Sequence, residues 1–205
     1  LEVTGAVERV DGGQAFRVGP AMRQIAGSVT APNLESLSRP HLVHLVREVG
    51  EAAGFSVRQG FDALYILQVD ADQDVQVRDW TGAALSMHLV SAGIAMLSTL
   101  PEDEVEEFLD LPLDAPTAKS VTDPGQIRQR LAEARRDRVA WTRDELVDGL
   151  TSVACAVKAE SGELIGAVHM HGPSFRFPRA RESQTIVEAL QKTALGIAAS
   201  VAQAG

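Results

Sequence analysis

The chain reads as an α+β domain, a mainly antiparallel sheet flanked by helices. Two observations predict it. Apolar residues alternate at every second position in several short segments and recur at helical spacing in others, the two kinds being interspersed along 205 residues. Tight turn signals join neighbouring strand segments, and such turns connect antiparallel strands.

Residues 1–18 predict a two-stranded ribbon, Leu1–Val10 and Gln14–Val18 around an Asp11-Gly12-Gly13 turn. A lone ribbon is marginal in water, so this one is expected to have lost its neighbours. Gly19-Pro20 opens a short helix over 19–30 with Met22, Ile25, Ala26 and Val29 on one stripe. From residue 31 to 205 the pattern is that of the main domain. A turn over Asn33–Leu37 leads to a helix starting at Pro40, carried by Leu42, Leu45, Val46 and Val49 and ended by Gly50. Strands are expected over Ala53–Gln59, Ala63–Asp70 and Val75–Trp80, with Leu64 and Ile66 on one face of the second and Tyr65 and Leu67 on the other. Ala84–His88 is a further strand running into a helix over 90–100, where small Ser91, Ala92 and Gly93 permit close backbone approach. An acidic helix start follows at Pro101. Residues 111–120 are loop, and Asp123-Pro124 caps a helix reaching Arg136. Val139–Trp141 is a short strand, Thr142–Gly149 an acidic connector, and 183–201 a final helix with Ile186, Leu190, Ala194, Ile197 and Val201 on one face.

The most informative stretch is Leu150–Pro173, two strands around Glu160-Ser161-Gly162. If Ala159 pairs with Leu164, Ser152, Ala154 and Ala156 lie opposite His171, His169 and Ala167, all on one face. The other face holds Val153, Cys155, Val157, Leu164, Val168 and Met170 and is wholly apolar. A small-then-polar face suits the floor of a small-molecule pocket. It equally suits a half-solvated hairpin with exposed histidines.

Composition excludes several classes. The chain is 45% hydrophobic and 23% charged, as ordinary globular domains are. A net charge of -9 and only 4% aromatic residues argue against gripping a phosphate backbone or stacking single-stranded bases. One cysteine cannot form an internal disulfide, so a reducing cytoplasm is expected. No apolar run is long enough to span a membrane. The chain starts at Leu1 and has no signal peptide, which suggests that it begins partway through a larger protein.

No catalytic motif is present, and no cofactor is implied. Strand parity separates Cys155 from His169, so a nucleophile pair is not expected and the chain reads as a non-enzyme. His88, His169 and His171 invite a metal reading, a third histidine joining two on one strand face, but no carboxylate or cysteine has matching spacing. His41 and His44 read as surface residues.

Four stretches resemble the IclR family of bacterial transcriptional regulators. Phe16-Arg17-Val18-Gly19-Pro20 is similar to the family's entry segment. Gly82–Leu97 resembles a glycine, a strand-end histidine and a following helix. Ser120–Asp123, with the helix to Arg136, resembles the Thr-x-Thr-Asp start. Leu146–Pro173 resembles the long signature closing on Ser-Gly-Pro. The resemblance implies a winged helix-turn-helix of which residues 1–18 are a remnant, a linker helix at 19–30, and a GAF-like effector-binding domain at 31–205. It further implies a small-molecule effector, DNA binding through the missing N-terminal domain, and homodimers or tetramers. Positions matching the family pocket are Leu85, Ser91, Ala92, Thr142, Leu150, Ser152, His169 and His171, with Val77 a weaker match. Three residues depart from the pattern: Ser86 for proline, Ile94 for lysine and Arg138 for glycine. Serines are common in the family where His169 and His171 stand. The expected effector is a small carboxylate or aromatic acid, bound over the hairpin face with help from amides near Ser91. A metal-responsive sensor and an assembly module with a side-chain-filled pocket are the alternatives.

Overall fold

The computed structural model describes residues 7–9, 16–18, 33–179 and 181–204. Two strands, β1 (Val7–Arg9) and β2 (Phe16–Val18), pair antiparallel with Val7 opposite Val18. Their expected turn and the linker helix at 19–30 lie outside the described residues.

The larger unit, Leu34–Gln203, is built on six strands. These are β3 (Ala52–Gln59), β4 (Asp62–Val69), β5 (Ala84–Ser86), β6 (Ala140–Arg143), β7 (Leu150–Lys158) and β8 (Leu164–Pro173). They are ordered β5-β4-β3-β8-β7-β6, with every neighbouring pair antiparallel. One face is covered by α1 (Leu34–Val49) and α5 (Ser183–Ala204). There Leu42, Leu45, Ile186, Leu190 and Ile197 pack on Phe55, Val153, Cys155, Val168 and Met170. The other face is covered by α2 (Ser91–Leu97), α3 (Glu102–Leu109) and α4 (Pro124–Asp137). Here Met96, Leu97, Phe108, Ile127 and Leu131 form a second core with Tyr65, Ala154 and Ala167. Burying both faces of a sheet under helices gives the α+β architecture its two cores.

The hairpin of β7 and β8 keeps the expected register. Ser152 faces His171, Ala154 faces His169 and Ala156 faces Ala167. Its turn end differs. A shift beyond Val157 pairs Lys158 with Leu164, leaving Ile165 as the extra residue. Leu164 therefore packs on the core of the opposite face from Val153, and Ile165 takes its place. An irregularity in the β3–β4 ladder, at Phe55/Ser56, does the same to Tyr65 and Leu67. These were expected to share a face, but they enter different cores. One inserted residue inverts the side-chain phase of everything beyond it.

Three further expectations are corrected. Val75–Trp80 is not a strand. The outer edge of β4 is occupied there by Ala83, whose carbonyl accepts from Tyr65 N at 2.9 Å, and then by β5, which leaves residues 75–80 no edge to join. That segment is held instead by Arg176 Nη2 on the Val75 carbonyl at 2.8 Å and by Trp80 N on Gln68 Oε1 at 3.2 Å. The first helix of this unit starts at Leu34 rather than Pro40, and the proline lies inside it. Leu34 and Val49 both pack against the core at opposite ends, so burial carries the helix through a residue that normally ends one. The strand from Ala84 stops at Ser86, and Met87–Leu89 form a 3-10 turn. Gly93 then abuts the backbone of Met87 so closely that no Cβ fits, the close approach that the small residues 91–93 predict.

Candidate functional site

The small-then-polar face of β7 and β8 is buried beneath α2 and the segments flanking it. Three alanines, Ala154, Ala156 and Ala167, leave space that rings occupy at one end. His169 is 1% exposed and His171 3%. Their rings stack with centroids 5.7 Å apart and planes inclined by 21°. Tyr65 from β4 tilts onto His169 with centroids at 4.5 Å. Room for His169 exists because its neighbour on β3 is Gly54.

Beside these rings, Thr142 of β6 lies opposite Ser152 of β7, and their hydroxyl oxygens are 2.7 Å apart. Both, with Leu150, His171 and Tyr65, line a narrow cleft. Its remaining wall is made by Trp80, by Leu89 and Val90 ahead of α2, and by Glu145 and Leu146 of the connector. The cleft volume is about 10 Å³, close to the space of one water.

Polar groups under this cleft lack partners. Among the described residues, both ring nitrogens of His169, Nε2 of His171 and the hydroxyl of Ser91 are buried with no hydrogen bond. Leaving such a group unpaired costs roughly 1–3 kcal/mol, and native proteins rarely keep several together without a reason. Burial favours the neutral ring. It pushes His171 down to about 4 and holds His169 well below the usual histidine range, with the neighbouring imidazole adding to the second effect. Burial also raises the Tyr65 phenol. At neutral pH the face therefore presents two neutral imidazoles, each with one donor and one acceptor nitrogen.

The connector over 144–149 is pinned at its base. Glu145 meets the Arg130 guanidinium through two oxygens, at 2.6 and 3.0 Å, and accepts from Arg143 N at 3.2 Å. Burial nevertheless holds its carboxyl above the usual range. Asp144 adopts φ 60° and is bound by Lys119, by Ser174 Oγ at 2.7 Å and by Gly149 N at 2.9 Å. These donors pull its carboxyl down to about 2. Between the anchors, Leu146 covers the cleft while Val147 is 45% exposed.

The expected site residues divide into three groups. Thr142, Leu150, Ser152 and His171 meet at the cleft; His169 stacks on His171, and buried Ser91 follows Val90 of the cleft wall. Ala92 is buried in the same core and Leu85 packs against it, neither on the cleft wall. Val77 lines a second small hollow on the other side of His171, with Asp70 and Glu51. His88 is committed elsewhere. Its Nε2 donates to the Asp114 carbonyl at 2.8 Å, which makes Nδ1 the acceptor for the Ser86 hydroxyl at 2.8 Å. No ring nitrogen is left for a metal, and no metal-holding group of three His, Cys, Asp or Glu residues occurs among the described residues. Cys155 is buried in the opposite core, where desolvation pushes its thiol up to about 12. Tyr65, Trp80, Glu145 and Leu146 were not anticipated. Tyr65 carried a usable signal as the single tyrosine of the chain, in a strand beside the hairpin.

Comparison with known proteins agrees with this architecture. The chain is 29% identical over 177 residues to the HTH-type transcriptional regulator Rv1719 of Mycobacterium tuberculosis, covering 86% of this chain and 68% of that one. A crystal structure of an IclR-type regulator from Silicibacter sp. TM1040 superposes with a TM-score of 0.88 at 26% identity, covering 98% of this chain and 79% of that one. An IclR homolog from Microbacterium hydrocarbonoxydans, crystallised with 4-hydroxybenzoate, gives 0.78 at 24% identity, covering 98% and 81%. The family described as bacterial transcriptional regulator IclR, C-terminal, matches residues 26–199, which is most of the chain, and the protein therefore belongs to that family.

Proposed function

We propose that this effector-binding domain takes a small organic acid, aromatic or short-chain, over the β7–β8 face. The carrying observation is the set of buried, unpartnered polar groups: His171 on the cleft wall, His169 stacked against it, and Ser91 next to Val90 of that wall. A carboxylate laid against His171 accepts its N–H and favours the protonated ring, so binding takes up a proton. Ser152, Thr142 and Tyr65 add hydroxyls around it. With only about 10 Å³ free, binding requires the 144–149 connector or the Trp80 segment to move outward. The effector thus selects an open arrangement by its higher affinity for it.

In this reading the domain assembles as a homodimer or tetramer, and the effector biases how paired winged helix-turn-helix domains of the full-length protein meet DNA. A thermal-shift screen of small carboxylates, with 4-hydroxybenzoate among the probes, tests the proposal. A ligand that binds only the folded state raises the unfolding midpoint, and the part of the rise that comes from this face should be lost in His169→Ala/His171→Ala.

The small cleft volume favours a second reading, an assembly module whose pocket is filled by its own histidines. In that case His169→Ala/His171→Ala leaves any carboxylate-induced shift of the midpoint unchanged.

A further inference from the structure

A second cavity lies at the other end of α2, on the same side of the sheet. Its volume is about 310 Å³, within the range of small-molecule sites. The floor is Ala95, Ala134, Val139 and Ala156, and the rim carries Arg135, Arg138 and Lys158. Small side chains from three elements converge there, so the helices α2 and α4 cannot close the space above β7. Among the described residues no carboxylate lines it, although the chain as a whole carries a net charge of -9. Three cations around one hollow therefore oppose the surrounding field and concentrate positive potential locally.

Two of the cations are uncommitted. Arg135 donates to the Ser98 carbonyl at 2.8 Å and approaches Glu102 at 3.7 Å. Among the described residues, Arg138 and Lys158 have no ion-pair partner. Arg138 also stands in the left-handed region, with φ 55° and ψ 29°, as the residue that ends α4. Glycine takes that position without strain, so an arginine there is retained at a backbone cost. The hydroxyls of Ser98 and Thr99 on the cavity wall already donate to helix carbonyls at 2.7 Å, leaving the cations as the anion-recognising groups.

We propose that this cavity binds an amphiphilic organic anion, a carboxylate on a small ring or short alkyl chain. Its apolar body rests on the alanine floor and its charge lies between Arg138 and Lys158. The site is separate from the cleft over His171 and shares with it only β7, which supplies Ala156 and Lys158 here and Leu150 and Ser152 there.

Thermal unfolding at low ionic strength, with benzoate, hexanoate or inorganic phosphate as probes, tests this. With an organic anion at ten times its dissociation constant, the midpoint rises by about 3–6 °C in the wild type. The same rise is expected in His169→Ala/His171→Ala, which removes the cleft's contribution and leaves this cavity intact. It disappears when Arg138→Gly/Lys158→Gln is added to that background, where the glycine relieves backbone strain and so preserves folding. The proposal is overturned if neither organic anion shifts the histidine variant, if adding Arg138→Gly/Lys158→Gln leaves the shift in place, or if phosphate matches the organic anions.

Discussion

The imidazole of His169 lies across the backbone of Gly54, so that a Cβ there would stand 2.7 Å from Nε2 and 2.7 Å from the Leu67 carbonyl oxygen. The absence of one side chain on β3 is what admits a ring on β8. Gly54→Ala is expected to destabilise by about 2–3 kcal/mol, since both contacts are too short for real atoms. His169→Ala in that background should recover only part of the loss, because the Leu67 carbonyl stays. A double-mutant cycle by denaturant unfolding measures the coupling.

Stability should fall as the solution is acidified from about pH 6.5 to 4. Burial lowers the folded-state pKa of His171 to about 4 and that of His169 as well. Above the ordinary histidine value of 6.5, neither state binds the proton and the rings contribute no pH dependence. Below it, the unfolded chain takes up protons that the folded rings refuse, so the folded state loses ground until His171 itself titrates. A shift of that size is worth roughly 3 kcal/mol for His171. Denaturant titrations at pH 7 and pH 5 should show the loss, and His171→Ala should flatten it.

Arg138→Gly is expected to stabilise by about 0.5–1 kcal/mol, since glycine accepts φ 55° without the Cβ penalty. An unchanged or lower unfolding midpoint would show that packing of the Arg138 side chain outweighs its backbone strain.

Arg130→Met leaves the buried Glu145 carboxylate without its bidentate partner. A loss of about 2 kcal/mol is expected at pH 7. The penalty belongs to the charged carboxylate, so it should shrink as pH falls and Glu145 protonates. Comparing the variant with wild type at pH 7 and pH 5 separates this from lost packing, which would not respond to pH.

Much of this was legible in the sequence, because periodicity reports burial directly. The Ser152–His171 register, the two-faced hairpin, the Asp123 cap and the stripe of the last helix all follow from alternation or helical spacing. Leu164 and Leu67 were misplaced for one shared reason. A single extra residue in a ladder inverts the faces beyond it, and no composition signal marks it. Val75–Trp80 has a strand's residues but no free edge to join, and edges are a tertiary property. His88 reads as available from the sequence, but Ser86 and the distant Asp114 carbonyl occupy both of its nitrogens. The cleft's far wall, Trp80 and Leu146, comes from irregular segments, which carry no periodicity to read.

The most direct test of the central claim is calorimetric titration of 4-hydroxybenzoate and short-chain carboxylates near pH 6.5, run in two buffers of different ionisation enthalpy. In Arg138→Gly/Lys158→Gln, which silences the second cavity, binding should proceed with uptake of a proton and be lost when His169→Ala/His171→Ala is added, because the groups that share the carboxylate's charge are gone. Binding of equal strength with and without the two histidines, or no binding by any of these acids to the Arg138→Gly/Lys158→Gln protein, would overturn the effector reading of the β7–β8 face.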